Sequence, residues 1–288
     1  MPMRNKLVLP LLFLPALLSA QDLVSVKGRI VDTDGEAVEY VQVGMPGHRI
    51  GTISTADGRF EIRVPCDTLE FFHVSYQKAS YPVTGDVDDV VVVLHGQELP
   101  PAVFIGGNTR EKYLVRPGVK MGDLGIISFS LRNGRSEGRE VGSVARTGRP
   151  FLVEDILLSV HSNHIPGCIA AINIYRIEGK NESFVNVLHK PIYFPVAVSD
   201  DPQDFDIQPE EAILLEPGRY FISFQIVGCD EGALQAFLAK PEEERSFWEM
   251  TMDFVIYFKN SYLREAALGE MDYFPVNIGI AVKGLEYR

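Results

Sequence analysis

Histidines and carboxylates are the residues of this 288-residue sequence whose types and spacing could do chemistry. His161-x-x-His164 is the pair with ligand-like spacing. Two imidazoles three apart can share a zinc ion, but a zinc site needs further ligands and none follows nearby. The pair reads as polar loop residues ahead of Ile165-Pro166-Gly167. His48, His73, His95 and His189 are scattered. Asp32-x-Asp34-Gly35 matches the first positions of a calcium loop. That loop needs a bidentate Glu at its twelfth position, where Val43 stands, so the stretch reads as a turn. The densest acidic run is Asp200-Asp201-Pro202-Gln203-Asp204-Phe205-Asp206. It offers oxygen ligands to calcium but reads first as a solvated acidic loop. Glycoside hydrolysis needs two positioned carboxyls, and the sequence alone does not select a pair. The chain contains no G-x-S-x-G, P-loop or dinucleotide-binding glycine motif. No catalytic residue, metal ligand or cofactor is assigned.

Aromatic residues offer a second route to function. Trp248, Tyr257, Phe258, Tyr262, Tyr273 and Phe274 gather late in the chain. They read first as core, since large aromatic side chains dominate burial. If exposed, Trp248, Tyr257, Tyr262 and Tyr273 would form a platform for a sugar or a protein partner.

These residues must be positioned by strands. Leu23–Val31 alternates in polarity, and Val38–Val43 is predicted as a second strand. Ala56-Asp57-Gly58 is a hairpin signal, after which Phe60, Ile62 and Val64 alternate with Glu61 and Arg63. Pro65 ends that strand because it cannot donate to a ladder. Leu69–Val74 and Val90–Leu94 add further strands. Short strands separated by Gly and Pro turns at this density predict a small β-sandwich. Beyond Tyr113 the strand candidates are 123–131, 151–160, 169–177, 184–188, 220–227, 247–258 and 274–283. Ile172 to Ile177 alternates strictly, which predicts one buried face and one solvated face. Glu242-Glu243-Glu244-Arg245 reads as one helical turn or a loop. Tyr262–Leu268 is predicted as a short helix with Ser261 as its cap. The total predicts an all-β protein whose second half is a larger, jelly-roll-like antiparallel sandwich.

Charge and the N-terminus bound the compartment. The formal net charge is −12. This argues against nucleic acid, which needs a basic face, and against docking on an anionic membrane surface. Arg4 and Lys6 precede an apolar run, Leu7–Leu18, closed by small residues at Ser19 and Ala20. That is the layout of a secretory leader, with cleavage after Ala20. Losing its two cations takes the formal charge from −12 to −14. The run is too short to span a bilayer, so the mature chain is expected to be exported and not membrane-spanning. An exported chain can form disulfides. Cys66, Cys168 and Cys229 are odd in number, so all three cannot pair internally. They read as buried free thiols, with a bridge between Cys168 and Cys229 as the alternative.

The first strands also carry a family resemblance. Lys27 to Asp32, Asp34-Gly35-Glu36, Val41-Gln42-Val43, Gly51-Thr52 and Thr55-Ala56-Asp57-Gly58-Arg59-Phe60 resemble the carboxypeptidase-regulatory-like domain common in Bacteroidetes. Leu69 to Tyr76 is similar to a compressed form of that domain's later segment. The resemblance covers about residues 23–96 and implies a seven-stranded transthyretin-like sandwich without catalysis of its own. The same domain opens TonB-dependent outer-membrane receptors, but this chain is far too short for their barrel. Gln97–Gly107 resembles the segment that follows the domain there and reads as an interdomain linker. Glu140 to Ser143, Phe151 to Ile156, Ile174-Tyr175 and Arg219 to Ser223 resemble an uncharacterised region that often follows the domain in Bacteroidetes proteins.

The expected layout is a leader at 1–20, a first sandwich at 21–96, a linker at 97–112 and a second sandwich at 113–288. The expected function is a non-enzymatic binding or scaffold protein of the bacterial cell envelope, in the periplasm or at the outer membrane, with a protein or glycan partner. The alternatives are a carbohydrate-binding accessory of a glycan-uptake system, and a hydrolase with its site in the second sandwich.

Overall fold

The computed structural model describes residues 23–98, 106–122, 125–134 and 138–288. The expected cleavage point at Ala20 and most of the segment from Leu99 to Ile105 lie outside them. The fold is all-β, as the sequence predicts.

Seven strands form the first part: β1 (Val24–Asp32), β2 (Gln42–Gly44), β3 (Gly51–Ile53), β4 (Arg59–Val64), β5 (Thr68–Phe72), β6 (Ala79–Pro82) and β7 (Val87–Leu94). They make two sheets, ordered β4-β1-β7 and β3-β2-β5-β6. The β1–β7 pairing is parallel and the others are antiparallel. β4 shows why these residues make a sandwich. Phe60, Ile62 and Val64 are buried, while Arg59, Glu61 and Arg63 are exposed. A two-residue side-chain period then places every apolar group on one face. That face meets Val26, Ile30, Val43, Leu69, Phe71 and Leu94 in one core.

The second part opens with β8 (Thr109–Val115), β9 (Val119–Lys120), β10 (Ile126–Ser130), β11 (Glu140–Thr147), β12 (Phe151–Val160) and β13 (Ser162–Asn163). It continues with β14 (Cys168–Glu178), β15 (Ser183–Asn186), β16 (Ile192–Val196), β17 (Gln203–Ile207), β18 (Ile213–Leu215) and β19 (Gly218–Gly228). Helix α1 (Glu231–Leu238) follows, with one 3-10 turn at Glu242–Glu244. The chain ends in β20 (Thr251–Val255), β21 (Tyr257–Phe258), β22 (Ser261–Arg264), β23 (Asp272–Phe274) and β24 (Ala281–Tyr287). The largest sheet runs β15-β14-β19-β11-β22-β23, with β16 also pairing with β14. Facing it is β17-β12-β24-β8, with β18 also on β12. Small sheets β10-β20-β13 and β21-β9 complete this part. Ile172, Ile174, Tyr220, Ile222, Phe224, Phe151, Ile156 and Phe254 fill its core.

Four local expectations are revised. Tyr40 takes a positive φ of 51°, which interrupts the predicted Val38–Val43 strand, so β2 starts only at Gln42. Ser261 does not cap a helix. Its hydroxyl donates to the Gly142 carbonyl at 2.5 Å, and the segment pairs with β11 and β23. The Asn173, Tyr175 and Ile177 face of β14 is buried rather than solvated, because the first part approaches Asn173 and the side chains of Phe184, Phe221 and Tyr262 pack around Tyr175 and Ile177. Cys66 is exposed, in the turn that Pro65 opens, so the three thiols are not all buried. Cys168 is buried and burial pushes its thiol up to about 12. Among the described residues no disulfide joins it to Cys229. Helix α1 was unforeseen, although its signal was present: Asp230 accepts from the Ala233 N–H at 2.9 Å, the position of an N-cap.

The two parts meet at very short range. A Cβ on Gly44 would lie 2.2 Å from the Ala267 carbonyl oxygen. Gly44→Ala is therefore expected to lower stability by about 1–3 kcal/mol, the usual cost of overpacking a site that cannot relax. Chemical denaturation of the variant beside the parent checks this; an unchanged midpoint would show that the two parts do not close onto each other at Gly44.

Candidate functional site

The chemistry of this chain concentrates where the first part covers the outer face of the β14-β19-β11-β22 sheet. Even-numbered residues of β19, such as Ile222 and Phe224, enter the large core. Odd-numbered residues turn the other way. Phe221 joins Tyr175 and Tyr262, and Val227 packs with Ile53, Ala171 and Ala267. Between these apolar groups lies a buried polar row: Glu140, Asn173, Ser223, Gln225 and Arg264, with Gln42 opposite from β2.

The row is held together by hydrogen bonds, as buried polar groups require. The Tyr175 hydroxyl donates to Glu140 Oε1 at 2.9 Å, and the Ser223 hydroxyl donates to Oε2 at 2.7 Å. Arg264 Nη1 lies 3.5 Å from Glu140 and donates to Gln42 Oε1 at 3.4 Å. The guanidinium stacks over the Tyr175 ring, 5.1 Å from its centroid. Burial opposes the Arg264 charge, but Glu140 and Tyr175 outweigh it and raise its pKa above the usual value. Burial likewise raises the Tyr175 hydroxyl. Asn173 Nδ2 donates to Gln225 Oε1 at 3.3 Å, and Asn186 Nδ2 donates to Asn173 Oδ1 at 3.1 Å.

Further contacts fix the two parts around this row. Tyr40 meets Tyr193 edge-on, with ring centroids 5.1 Å apart. The Ser75 hydroxyl donates to the His189 carbonyl at 3.1 Å, and Arg49 pairs with Asp272 at 2.8 Å. His73 Nδ1 accepts from the Ser75 N–H, which leaves its Nε2–H facing the Tyr193 hydroxyl at 3.3 Å. Burial pushes the His73 pKa down to about 4, so the ring is neutral at pH 7.

Beside the row, a cleft of about 640 Å³ opens between the two parts. Arg264 lines it, as do Tyr175, the half-buried Phe72 and Phe184, Asn181 and Met271. Arg264 Nε is buried without a hydrogen-bond partner. On its rim Lys78 pairs with Glu70, and Glu182 is bonded by the Tyr262 hydroxyl at 2.7 Å and by Arg219 at 2.6 Å. Those two bonds, Tyr262 first, hold the Glu182 carboxyl below its ordinary pKa. The cleft thus combines half-buried aromatic walls with a rim of paired charges, the mixture common in ligand sites.

The aromatic residues marked by the sequence are dispersed. Trp248 is exposed and sits edge-on to Phe247, with centroids 5.0 Å apart. Tyr273 is exposed on β23. Tyr262, its ladder partner, is buried at 8% exposure against Phe184 and Phe221, so it belongs to no exposed platform. Tyr257 is half-buried and lines a separate groove of about 690 Å³ with Tyr113, Arg116, Asp204 and Asp206. His161 and His164 gather no third ligand among the described residues. His164 Nε2 instead meets Asp200 Oδ1 at 2.8 Å, and the acidic run continues into β17. Sequence reasoning missed Arg264 and Glu140. A charged residue inside an otherwise apolar strand, as in Ser261-Tyr262-Leu263-Arg264, was the available signal.

No family model matches the chain, and no curated protein matches it. The carboxypeptidase-regulatory-like resemblance is therefore not confirmed and rests on its motifs alone. Among solved structures, the chain is similar to a DUF3823 family protein from Parabacteroides merdae ATCC 43184. The two are 10% identical over 88% of this chain and 97% of that chain, with a TM-score of 0.21. A DUF3823 family protein from Bacteroides ovatus ATCC 8483 is 11% identical over 71% and 97%, with a TM-score of 0.21. A structure of infectious bursal disease virus, Gx strain, is 10% identical over 95% and 62%, with a TM-score of 0.30. At these scores the likenesses carry no argument about the cleft.

Two outcomes follow from the buried groups. Arg264→Met leaves Glu140 buried without its cation and is expected to cost about 3–5 kcal/mol, whereas Glu140→Leu with Arg264→Met recovers most of that loss. Urea midpoints of the singles and the double measure the coupling, and additive losses would show that the pair is not coupled. Below pH 6.5 the unfolded state protonates His73 while the folded state does not, down to about pH 4. Stability thus falls by up to about 3 kcal/mol between those values on account of this ring. His73→Gln should flatten that part of the melting-temperature profile; a profile parallel to the parent's would count against a neutral buried ring.

Proposed function

We propose that the chain is an exported, non-enzymatic binding or scaffold protein of the bacterial cell envelope. The observation that carries the binding half is the cleft beside the polar row, which both parts build and which Phe72, Tyr175, Phe184 and Arg264 line. The carboxylates of the cleft support a non-enzymatic reading. Glu70 is paired with Lys78, and Glu182 is held ionised by Tyr262 and Arg219, a state unsuited to donating a proton near neutral pH. The envelope half is supported by the leader-like pattern from Arg4 to Ala20. No helix among the described residues is long and apolar enough to cross a membrane.

Expression of the whole chain in a Gram-negative host tests the location. The expected product lies in the periplasmic or outer-membrane fraction and begins at Gln21; a cytoplasmic product that keeps Met1 would overturn export. Assay of the purified mature chain on nitrophenyl glycosides is expected to give no turnover. Turnover that disappears in Glu182→Gln would overturn the non-enzymatic half.

A further inference from the structure

We infer that Cys168 and Cys229 form a covalent modification site: a cross-strand disulfide that clamps the start of β14 to the end of β19 and closes by exchange with an external disulfide. The inference goes beyond the binding reading and does not need it. Its compartment is the oxidising one that the export reading gives, while the pairing itself is tested on the purified chain.

The register of the two strands carries it. Ala170 aligns with Ile226, but Ile169 aligns with Gly228, so Val227 is the extra residue of a β-bulge. The bulge changes which side chains of β19 face the main core. Ile226 enters that core, and Val227 turns to the opposite face with Ile53 and Ala171. Strict alternation would send Cys229 to the face of Val227. The extra residue returns Cys229 to the main core, where it packs against the cluster that buries Cys168.

Position along the strands agrees with direction. One step beyond Ile169 and Gly228 lie Cys168 and Cys229. The chain segments stay together past them. The Asp230 N–H donates to the Pro166 carbonyl at 2.8 Å, and a Cβ on Gly167 would lie 3.0 Å from the Asp230 nitrogen. The two cysteines are therefore held opposite each other, with a tie on either side. Opposed residues of an antiparallel pair have Cα atoms about 4.5–5.5 Å apart, inside the range of about 4.4–6.8 Å that a disulfide spans.

Access sets the order of events. Cys229 borders a cleft of about 320 Å³ with Tyr40 and Ser54, whereas Cys168 is buried. Burial, and after it the neighbouring Cys229, raises the Cys168 thiol to about 12, which makes Cys168 a poor first nucleophile. The Cys229 thiolate attacks one sulfur of the external disulfide and releases its other half as a thiol. Cys168 then gives up its proton, attacks the Cys229 sulfur and releases the second half. The two cysteines lose two electrons and two protons, and the external disulfide is reduced to two thiols.

The test uses the mature chain with Cys66→Ser, which removes the exposed third thiol. It is incubated with oxidised glutathione, then unfolded in guanidinium with N-ethylmaleimide. Intact mass is expected to show no label before reduction and two labels after it. Two labels without reduction, or glutathione retained on Cys229, would overturn the inference. Reducing the closed pair is expected to lower the melting temperature by about 5 °C or more, as opening a long loop does. A closed chain that melts no higher than the reduced one would overturn the clamp. With Cys229→Ser added, the chain is expected to melt alike with and without reductant; a reductant-dependent shift there would also overturn the assignment.

Discussion

The structure depends on one constraint: the largest sheet has no face that can be left to water. In β14 and β19 the residues that point away from the main core include Tyr175, Ile177, Phe221 and Val227, all buried. Antiparallel sheets commonly keep one solvated face. Here the cover is shared: Ile53 of the first sandwich packs on Val227, while Phe184 and Tyr262 of the second part pack against Phe221 beside Tyr175 and Ile177. The close approach at Gly44 and Ala267 and the edge-on Tyr40 and Tyr193 lie at this junction.

Covering that face buries polar groups as well as apolar ones. Glu140 has no exposure and would be intolerable alone, because a desolvated carboxylate needs both a cation and hydrogen bonds. It receives Arg264 from β22, the Tyr175 hydroxyl from β14 and the Ser223 hydroxyl from β19. Such a network adds little net stability but sharply penalises any other register, since a slip of one residue would strand every member. The row thus fixes how four strands of the sheet align, β11, β14, β19 and β22. The same fixing immobilises Arg264 where it borders the cleft.

Much of the fold was legible because local patterns and tertiary packing agree. Phe60, Ile62 and Val64 alternate with charged residues, and the structure buries one set only. The Asp-Gly turns fall where the sequence places them. Failures occurred where distant parts of the chain decide the outcome. Ile172–Ile177 has a half-buried strand's alternation, yet its second face is buried, Tyr175 and Ile177 among Phe184, Phe221 and Tyr262, and Asn173 where Gln42 and Phe72 of the other sandwich approach. Tyr40 lies in a strand-like run, but packing against Tyr193 and Gly228 accompanies a positive φ there. Tyr262 to Leu268 carries helix formers, and β11 and β23 draw its first residues into a ladder instead. The cleft was invisible for the same reason, since Phe72, Tyr175, Phe184 and Arg264 belong to separate stretches brought together only by the cover.

The parallel pairing of β1 with β7 has a kinetic meaning. Val26 aligns with Val87 and Ile30 with Val92, while β1 also lies between β7 and β4 in its sheet. The first strand to be made therefore waits for the last strand of its sandwich before its hydrogen-bonding edges are filled. The second part repeats the delay, since β24 pairs with β8 through Val282 and Val115. Pairings this distant in sequence slow folding, because loop-closure entropy must be met before contacts form. Each part thus stays open until its own closing strand has been made, the first until β7 and the second until β24.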